Sequence, residues 1–595
     1  MTGAEMIVQI LIDEGLDVVF GYSGGAILPT FDAVTRYNDE HGERMRLIVP
    51  ANEQGATFMA AGYARASGKV GVALVTSGPG ATNTVTAVRD CMADSIPIVV
   101  ICGQIPTHLI GTDGFQEAPV SAIMSGSVKH VFLVTEPEKL EATIRTAFEI
   151  ARTGRPGPVV IDVPKDVQNW EGPFLGAGVL PLPGYRARLQ RQNRLLEESE
   201  REAFCNLMLA SRRPLIYAGG GVIHAEASQA LRAFADTFRI PVATTLMSLG
   251  CYDTDSQFSL GMLGMYGTAY ANYAVEDCDF LIAIGARFDD RVAGAPKHFA
   301  PNATAIAHLD IDPAEIGKLK AADWHYIGPM GPALDALAAG LRSRGFEPSK
   351  SNRYAEWHAH IARLKVRHAM NYDRRSRLVQ PYAVIEALSR ATAGEAIVCT
   401  GVGLHQMWAA QYLKFKAPRR WLTSGSMGTM GFGLPVAIGA QYACPRRLVI
   451  DVDGDASIRM NIGELETVTT YGLPVKILLF NNYGDGMVRQ LQKLFFHGRY
   501  SATDKSLHRK NFISAAEADG FPWVRRLEDP REIAATIKEF VTFPGPAFLE
   551  VIIDPEAGAY PMIPAGQGVR EMITGEWIES RDAHPTRLAP DPQAI

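Results

Sequence analysis

The stretch VIDVDGDAS, Val449 to Ser457, ends an apolar run on an acidic, glycine-bearing loop, and Asn482 in LLFNNYGDG follows twenty-seven residues after Asp455. Between them lie an amphipathic segment, Asn461 to Tyr471, and a second apolar run, Val475 to Phe480. The order strand, loop, helix, strand closes as a right-handed crossover between neighbouring parallel strands. Such a unit commits this part of the chain to an α/β sheet. It also sets Asp455 and Asn482 side by side at the carboxyl ends of their strands, where open α/β sheets bind ligands. A carboxylate and an amide oxygen are hard ligands that suit Mg²⁺, which takes one or two protein carboxylates and fills its remaining positions with substrate phosphates and water. The loop predicts a metal-bridged diphosphate.

Other apolar runs bounded by Gly and Pro alternate with helical patterns along the chain, which argues for parallel α/β sheets throughout. With 595 residues, 47% of them apolar, the chain exceeds the about 250 to 300 residues that one core holds, and three domains are expected. A weak internal repeat relates two of them. AAGYARASGKVGVALVTSGPG leads through a helix to Ser95-Ile96-Pro97 and IVVICG, and AIGAQYACPRRLVIDVDGD leads through a helix to Gly472-Leu473-Pro474 and VKILLF. Two similarly built domains at opposite ends of a chain invite a ligand held between them. The third unit follows the polar segment Arg186 to Glu202 and carries RPLIYAGGGV, IPVATT, FLIAIGARFDD and AIAHLDID. The fold class read here is α/β, with three doubly wound parallel-sheet domains at 1–180, 190–345 and 376–560 and a polar tail over 561–595, placed either to close over a site or to hang free.

A net charge of -6 with no basic run argues against nucleic acid as a partner. No apolar stretch nears the roughly 20 residues of a membrane span. The amino terminus reads directly as a helix (Ala4 to Glu14) and not as a secretory signal, so a cytoplasmic protein is expected. Seven scattered cysteines without CxxC spacing are expected as reduced core thiols.

Further motifs follow in order: FGYSGGAILP from Phe20, NEQGATFMAAGYAR from Asn52, TSGPGATN from Thr76, GQIPTHLIGTDGFQE from Gly103, RPGPVVIDVPKDVQ from Arg155, GARFDDRVAG from Gly285, HLDIDPAEIGK from His308, HQMWAAQ from His405 and GTMGFGLPVAIGA from Gly428. With the Asp455 and Asn482 loops, they resemble the thiamine diphosphate enzymes, most closely the catalytic subunit of acetohydroxyacid synthase (acetolactate synthase), over nearly the whole chain. The three domains are then a pyrimidine-binding domain, a central FAD-type domain and a diphosphate-binding domain.

The resemblance implies a role for each matching residue. Glu53 is the carboxyl group that bonds the cofactor pyrimidine and favours the imino form that deprotonates the thiazolium; alone, a glutamate there would more simply cap its helix. Pro79 and Asn83 belong to the same half. His405 touches the diphosphate, Met430 lies under the thiazolium, and Gly454 and Met487 complete the cofactor contacts. Asp455, Asn482 and Gly484 hold Mg²⁺. Gly25, Phe115, Gln116 and Lys165 align with acyl-site positions, Lys165 as a point charge for a keto-acid carboxylate. Gly219, Gly220 and Gly221 with Arg155, Arg287, Asp289, Arg291 and Asp312 resemble an FAD site, the glycines letting backbone N–H groups approach phosphate and the arginines pairing with it.

Several positions depart from the family pattern: Ser23 for proline, Leu404 for glutamine, Ser426-Met427 for Gly-Leu, Ala456 for glycine, Tyr266 for histidine, no acidic residue within Ile327 to Pro332, and Leu491 where a tryptophan selects 2-ketobutyrate over pyruvate. The implied activity is a decarboxylating condensation of pyruvate with a second 2-keto acid to 2-acetolactate or 2-aceto-2-hydroxybutyrate, in branched-chain amino acid synthesis. Another thiamine diphosphate enzyme, such as a pyruvate oxidase or a carboligase with a different acceptor, is the alternative. The family also implies a homodimer or homotetramer, with room for a small regulatory subunit.

Overall fold

The computed structural model describes residues 1–504 and 510–581, and it contains three six-stranded sheets in which every strand pair is parallel. The first holds β1 (Val18–Gly21), β2 (Arg46–Ile48), β3 (Gly71–Val75), β4 (Ile98–Gln104), β5 (His130–Leu133) and β6 (Val159–Pro164) in the order β2-β1-β3-β4-β6-β5. The second holds β7 (Pro214–Ala218), β8 (Val242–Thr244), β9 (Ser259–Met262), β10 (Phe280–Ile284), β11 (Ala305–Asp310) and β12 (Trp324–Ile327) in the order β12-β11-β10-β7-β8-β9. The third holds β13 (Ile397–Thr400), β14 (Trp421–Leu422), β15 (Val449–Gly454), β16 (Lys476–Asn481), β17 (Trp523–Leu527) and β18 (Ala547–Ile552) in the order β14-β13-β15-β16-β18-β17. Central strands such as GVALV and IVVICGQ are buried along their whole length, as strands covered by helices on both faces must be.

The first and third sheets share one topology, since each runs second, first, third, fourth, sixth, fifth strand across the sheet. The internal repeat read from the sequence is therefore a repeat of fold: its two copies are β3 with β4 and β15 with β16. The central sheet, read from β9, runs third, second, first, fourth, fifth, sixth, the order of dinucleotide-binding folds. Strand order reverses beside the first strand in each sheet, so the topology marks three crevices. These lie between β1 and β3, between β7 and β10, and between β13 and β15.

The outer two domains are joined through the helices Glu53–Ser67 and Gly433–Ala443, and residues of both domains form one continuous core. Both helices are rich in Ala and Gly, so their backbones touch. A Cβ at Gly62 would lie 2.2 Å from the carbonyl oxygen of Val436, and one at Gly439 1.9 Å from that of Met59. The segment after residue 560 is less tail-like than its polarity implied. Ile563, Val569, Met572 and Ile578 enter the central core, and Arg581 pairs with Asp277 at 2.8 Å. A few apolar side chains spaced along a polar stretch suffice to dock it. The remainder of the predicted tail, 582–595, lies outside the described residues. All seven cysteines are free thiols, as expected.

The close helix contact leads to a prediction. Gly439→Ala overpacks it and costs about 1 to 3 kcal/mol, which an apparent melting temperature several degrees below that of the unsubstituted protein registers.

Candidate active site

The third sheet builds one half of the site around its crevice. β13 runs into Gly401 to His405, β15 into Gly454 and Asp455, and β16 into Asn482. Asp455 is buried, with its backbone N–H on the Phe480 carbonyl at 3.0 Å, and its carboxyl group accepts from the backbone N–H of Asn482. The two residues read from the sequence as a pair are thus in contact. Burial pushes the Asp455 carboxyl up to about 7, which nearby Arg459 only partly offsets. His405 is buried and held neutral, since burial pushes it down to about 3. Among the described residues its Nε2 has no hydrogen-bond partner, and it lies 3.5 Å from Asp453. A Cβ at Gly454 would come 2.6 Å from His405 Nδ1, so only glycine fits there. Ser457 ties the half together by accepting from the N–H groups of Val402 at 3.3 Å and Gly431 at 3.1 Å. Gly431 follows Met430. Asn482 Oδ1 accepts from the Gly484 N–H at 3.2 Å, and Met487 lies in the next helix, Gly486–Phe495.

The first sheet builds the other half at its own crevice. The loop after β1 carries Gly24 and Gly25, and the loop after β3 carries Thr76 to Asn83. Gly24 lies against Thr76, where a Cβ would be 2.5 Å from the threonine side chain, whereas a Cβ at Gly25 would meet open space. Glu53 begins the Glu53–Ser67 helix, and Asn83 Nδ2 donates to its Oε2 at 2.9 Å. Pro79 opens the short Pro79–Asn83 helix. Gln116 takes a left-handed backbone, φ 60°, against Gly78, and Phe115 beside it is 89% exposed. Lys165 follows β6 at the same edge of the sheet.

The central crevice opens into a cavity of about 790 Å³. Gly219, Gly220, Gly221, Arg155, Arg287, Asp289 and Arg291 line it, as do Tyr266, Ser426, Met427, Met487 and Leu491. The glycines do less as phosphate donors than their pattern implied. Gly219 and Gly221 give their N–H groups to the carbonyls of Ile284 at 2.9 Å and Gly285 at 3.1 Å, and a Cβ at 219 would strike Gly285 at 2.1 Å. Close approach of two loops is what demands glycine there. Asp312 does not line the cavity. The cavity wall carries Asp310 and Glu315, while Asp312 accepts from Arg155 at 3.4 Å. β11 ends at Asp310, and Asp312 follows in the loop beyond the strand. Arg155 donates to Glu315 at 2.8 Å, so its charge is already shared within the protein.

Three family models match in chain order: the N-terminal thiamine pyrophosphate binding domain over 1–124, the central domain of thiamine pyrophosphate enzymes over 202–337, and the C-terminal binding domain over 401–551. The chain is 42% identical over 584 residues to "Acetolactate synthase 1, chloroplastic" of Nicotiana tabacum, covering 96% of this chain and 85% of that one. It is 42% identical to the "Acetolactate synthase large subunit" of Corynebacterium glutamicum, covering 98% and 93% of the two chains. The large subunit of Parasynechococcus marenigrum is 43% identical, with 96% and 91% covered. The chain belongs to the acetolactate synthase family of thiamine pyrophosphate enzymes.

The family pattern bears on the two candidate half-sites but not on everything that surrounds them. Glu464, one helix beyond Asp455, reaches across to the first domain and accepts from the Ala51 N–H at 3.2 Å, two residues before Glu53. A Cβ at Gly55 would lie 1.9 Å from its Oε1. Burial pushes this carboxyl up to about 7. Nothing in the local sequence singles out Glu464, because its partners are some four hundred residues distant. Ser426, one of the departures from the family pattern, also gains a role: its hydroxyl accepts from Arg287 at 2.7 Å.

The buried Asp455 carboxyl has a measurable consequence. Its pKa lies above the value of an exposed aspartate, so its contribution to stability is full below the unfolded value and is lost as pH rises toward about 7. Without divalent cations, Asp455→Asn melts several degrees above the unsubstituted protein at about pH 8, and the gap narrows at about pH 5. Thermal denaturation at the two pH values checks this.

Proposed function

We propose that this chain is a cytoplasmic carboligase, dependent on thiamine diphosphate and Mg²⁺, that condenses pyruvate with a second 2-keto acid to give 2-acetolactate, or 2-aceto-2-hydroxybutyrate from 2-ketobutyrate. The observation that carries the proposal is the buried Asp455 carboxyl, bonded to the Asn482 backbone beside the unpartnered nitrogen of His405. A desolvated carboxyl pushed up to about 7 suits a cation, and the oxygen donors of Asp455, Asn482 and the Gly484 backbone suit Mg²⁺. His405 fits a diphosphate oxygen.

When bound, thiamine diphosphate supplies the electron sink for loss of carbon dioxide and the carbon nucleophile for the second keto acid. The chain's residues prepare that chemistry. Glu53, oriented by Asn83, holds a proton at the pyrimidine nitrogen. Asp455 and Asn482 hold the metal that neutralises the diphosphate. Met430 supports the thiazolium, and Lys165 attracts the keto-acid carboxylate. The central cavity, with its dinucleotide-type strand order, Arg287 and Arg291, fits FAD, and its volume is within the about 300 to 1,000 Å³ of ligand pockets. Its apolar end, with Met487, Leu491 and Phe495, is assigned to the acceptor side chain.

We further propose a homodimer or homotetramer in which a second copy completes each site. The loops that carry the two half-sites expose apolar surface: Tyr22, Leu28, Val49, Leu109 and Phe115 on the first domain, Met427, Met460 and Val488 on the third. Exposed apolar groups gathered on functional loops mark an interface. A small regulatory subunit is a further proposed partner, in keeping with two relatives named as large subunits.

Purified protein incubated with pyruvate, thiamine diphosphate, Mg²⁺ and FAD forms acetolactate, and product identification checks it. Glu53→Gln lowers the rate by about 10² to 10⁴-fold; an equally active variant sinks the proposal. Leu491→Trp raises the preference for 2-ketobutyrate over pyruvate by about ten-fold or more, since one methylene in a shaped pocket is worth about 1 to 3 kcal/mol. Competition between the two acceptors reads the ratio.

A further inference from the structure

Three charged side chains outside both half-sites meet at the seam between the first and third domains. Arg65, near the end of the Glu53–Ser67 helix, has 4% of its side chain exposed, and Asp90 and Asp94 have none. Arg65 donates to Asp90 at 2.9 Å, to Asp94 at 3.0 Å and to the Thr423 carbonyl at 3.0 Å. Its guanidinium also lies 5.0 Å from the Phe432 ring centroid.

The two carboxylates spend their remaining oxygens on one segment of the third domain. Asp94 accepts from the N–H groups of Gly425 at 3.0 Å and Ser426 at 2.9 Å. Asp90 accepts from the Thr429 hydroxyl at 3.0 Å and from the Ser424 hydroxyl. Ser424 in turn accepts from the Thr429 N–H at 3.0 Å. Two residues further on, Gly431 is held from the other side: its N–H donates to Ser457 at 3.1 Å, and its carbonyl accepts from Asn461 at 2.8 Å. Met430 therefore sits between a residue tied to the first domain's anions and a residue tied to the Asp455 loop. The same segment walls the central cavity through Ser424 to Gly428, where Arg287 bridges the Ala93 carbonyl at 2.8 Å and the Ser426 hydroxyl at 2.7 Å.

Such a cluster is a poor source of net stability. Two carboxylates and one guanidinium taken out of water lose most of their mutual attraction to desolvation, and apolar side chains of similar volume often do as well. What it supplies is placement. Backbone N–H groups that bond a buried anion cannot move without leaving a desolvated charge unpaired.

We propose that Asp90 and Asp94, held by Arg65, are positioning residues for Met430: they set the 423–429 backbone against the Asp455 loop and so place the residue assigned beneath the thiazolium. The proposal rests on the thiamine diphosphate reading above. Neither aspartate touches cofactor or substrate; both act through the segment.

Hydrogen exchange and cofactor titration on the full-length protein test it, with Asp94→Asn and Thr429→Val as variants and Thr429→Ser as the conservative control. Thr429→Val removes one neutral donor, so it reports even where Asp94→Asn fails to fold. Expected are amide exchange at least ten-fold faster within 423–431 and unchanged in the central sheet, a half-saturating thiamine diphosphate concentration at least ten-fold higher, a lower kcat with unchanged KM for pyruvate, and a Thr429→Ser control within two-fold of the unsubstituted protein. Exchange that rises throughout all three domains overturns the proposal, because the cluster is then merely structural. So does a variant whose segment has loosened while its thiamine diphosphate titration is unchanged. Exchange is read without cofactor. Failure of the unsubstituted protein to bind thiamine diphosphate, which overturns the function proposed above, is thus distinguished from failure of the positioning proposal, in which variants and unsubstituted protein exchange alike.

Discussion

The contact between the helices Glu53–Ser67 and Gly433–Ala443 is the constraint on which the rest of this structure depends. Gly62 and Gly439 bring the two backbones together at distances no Cβ tolerates, and that closeness fixes one domain against the other. One end of the first helix presents Glu53 and the other presents Arg65. The second helix starts three residues after Met430. A single packing decision therefore sets the carboxylate of one half-site, the ion cluster at the seam and the loop of the other half-site.

Around that frame the site collects buried carboxyl groups, Asp453 and Asp455 at the end of β15 and Glu464 at the start of the Glu464–Thr470 helix. Burial pushes Asp453, Asp455 and Glu464 up to about 7. Each is satisfied differently. Glu464 accepts from the Ala51 backbone across the seam, Asp453 from the Gly454 N–H and Ser457, and Asp455 from the Asn482 N–H and its own, in the field of Arg459. Of the three, Asp455 is the one that family resemblance assigns to a metal, and a bound cation would favour its charged form.

Much of this was legible beforehand because the signals are local. The Asp455 to Asn482 crossover needs only strand periodicity and a spacing, and contact between the two residues follows from parallel register. The internal repeat was visible as two similar runs of residues, although it took strand order to show that both domains share one topology. Local signals also misled. Gly219 and Gly221 matched a phosphate-binding pattern, yet their N–H groups serve the end of β10 and the residue after it. Asp312 matches the same family site, yet it does not line the cavity, whereas Asp310 two residues earlier does. The stretch after residue 560 was read as a tail because its composition is polar, although a few apolar residues dock it on the central core.

By itself the sequence determined that this chain makes three parallel α/β units and that its first and last units are alike, because strand and helix periods and loop residues act over tens of residues. Only the tertiary structure decided that Glu464 braces the backbone before Glu53, that Ser426 receives Arg287, and that Arg65, Asp90 and Asp94 clamp the loop before Met430. Those contacts join residues up to four hundred positions apart, and a buried charge finds its partner by proximity in the folded core.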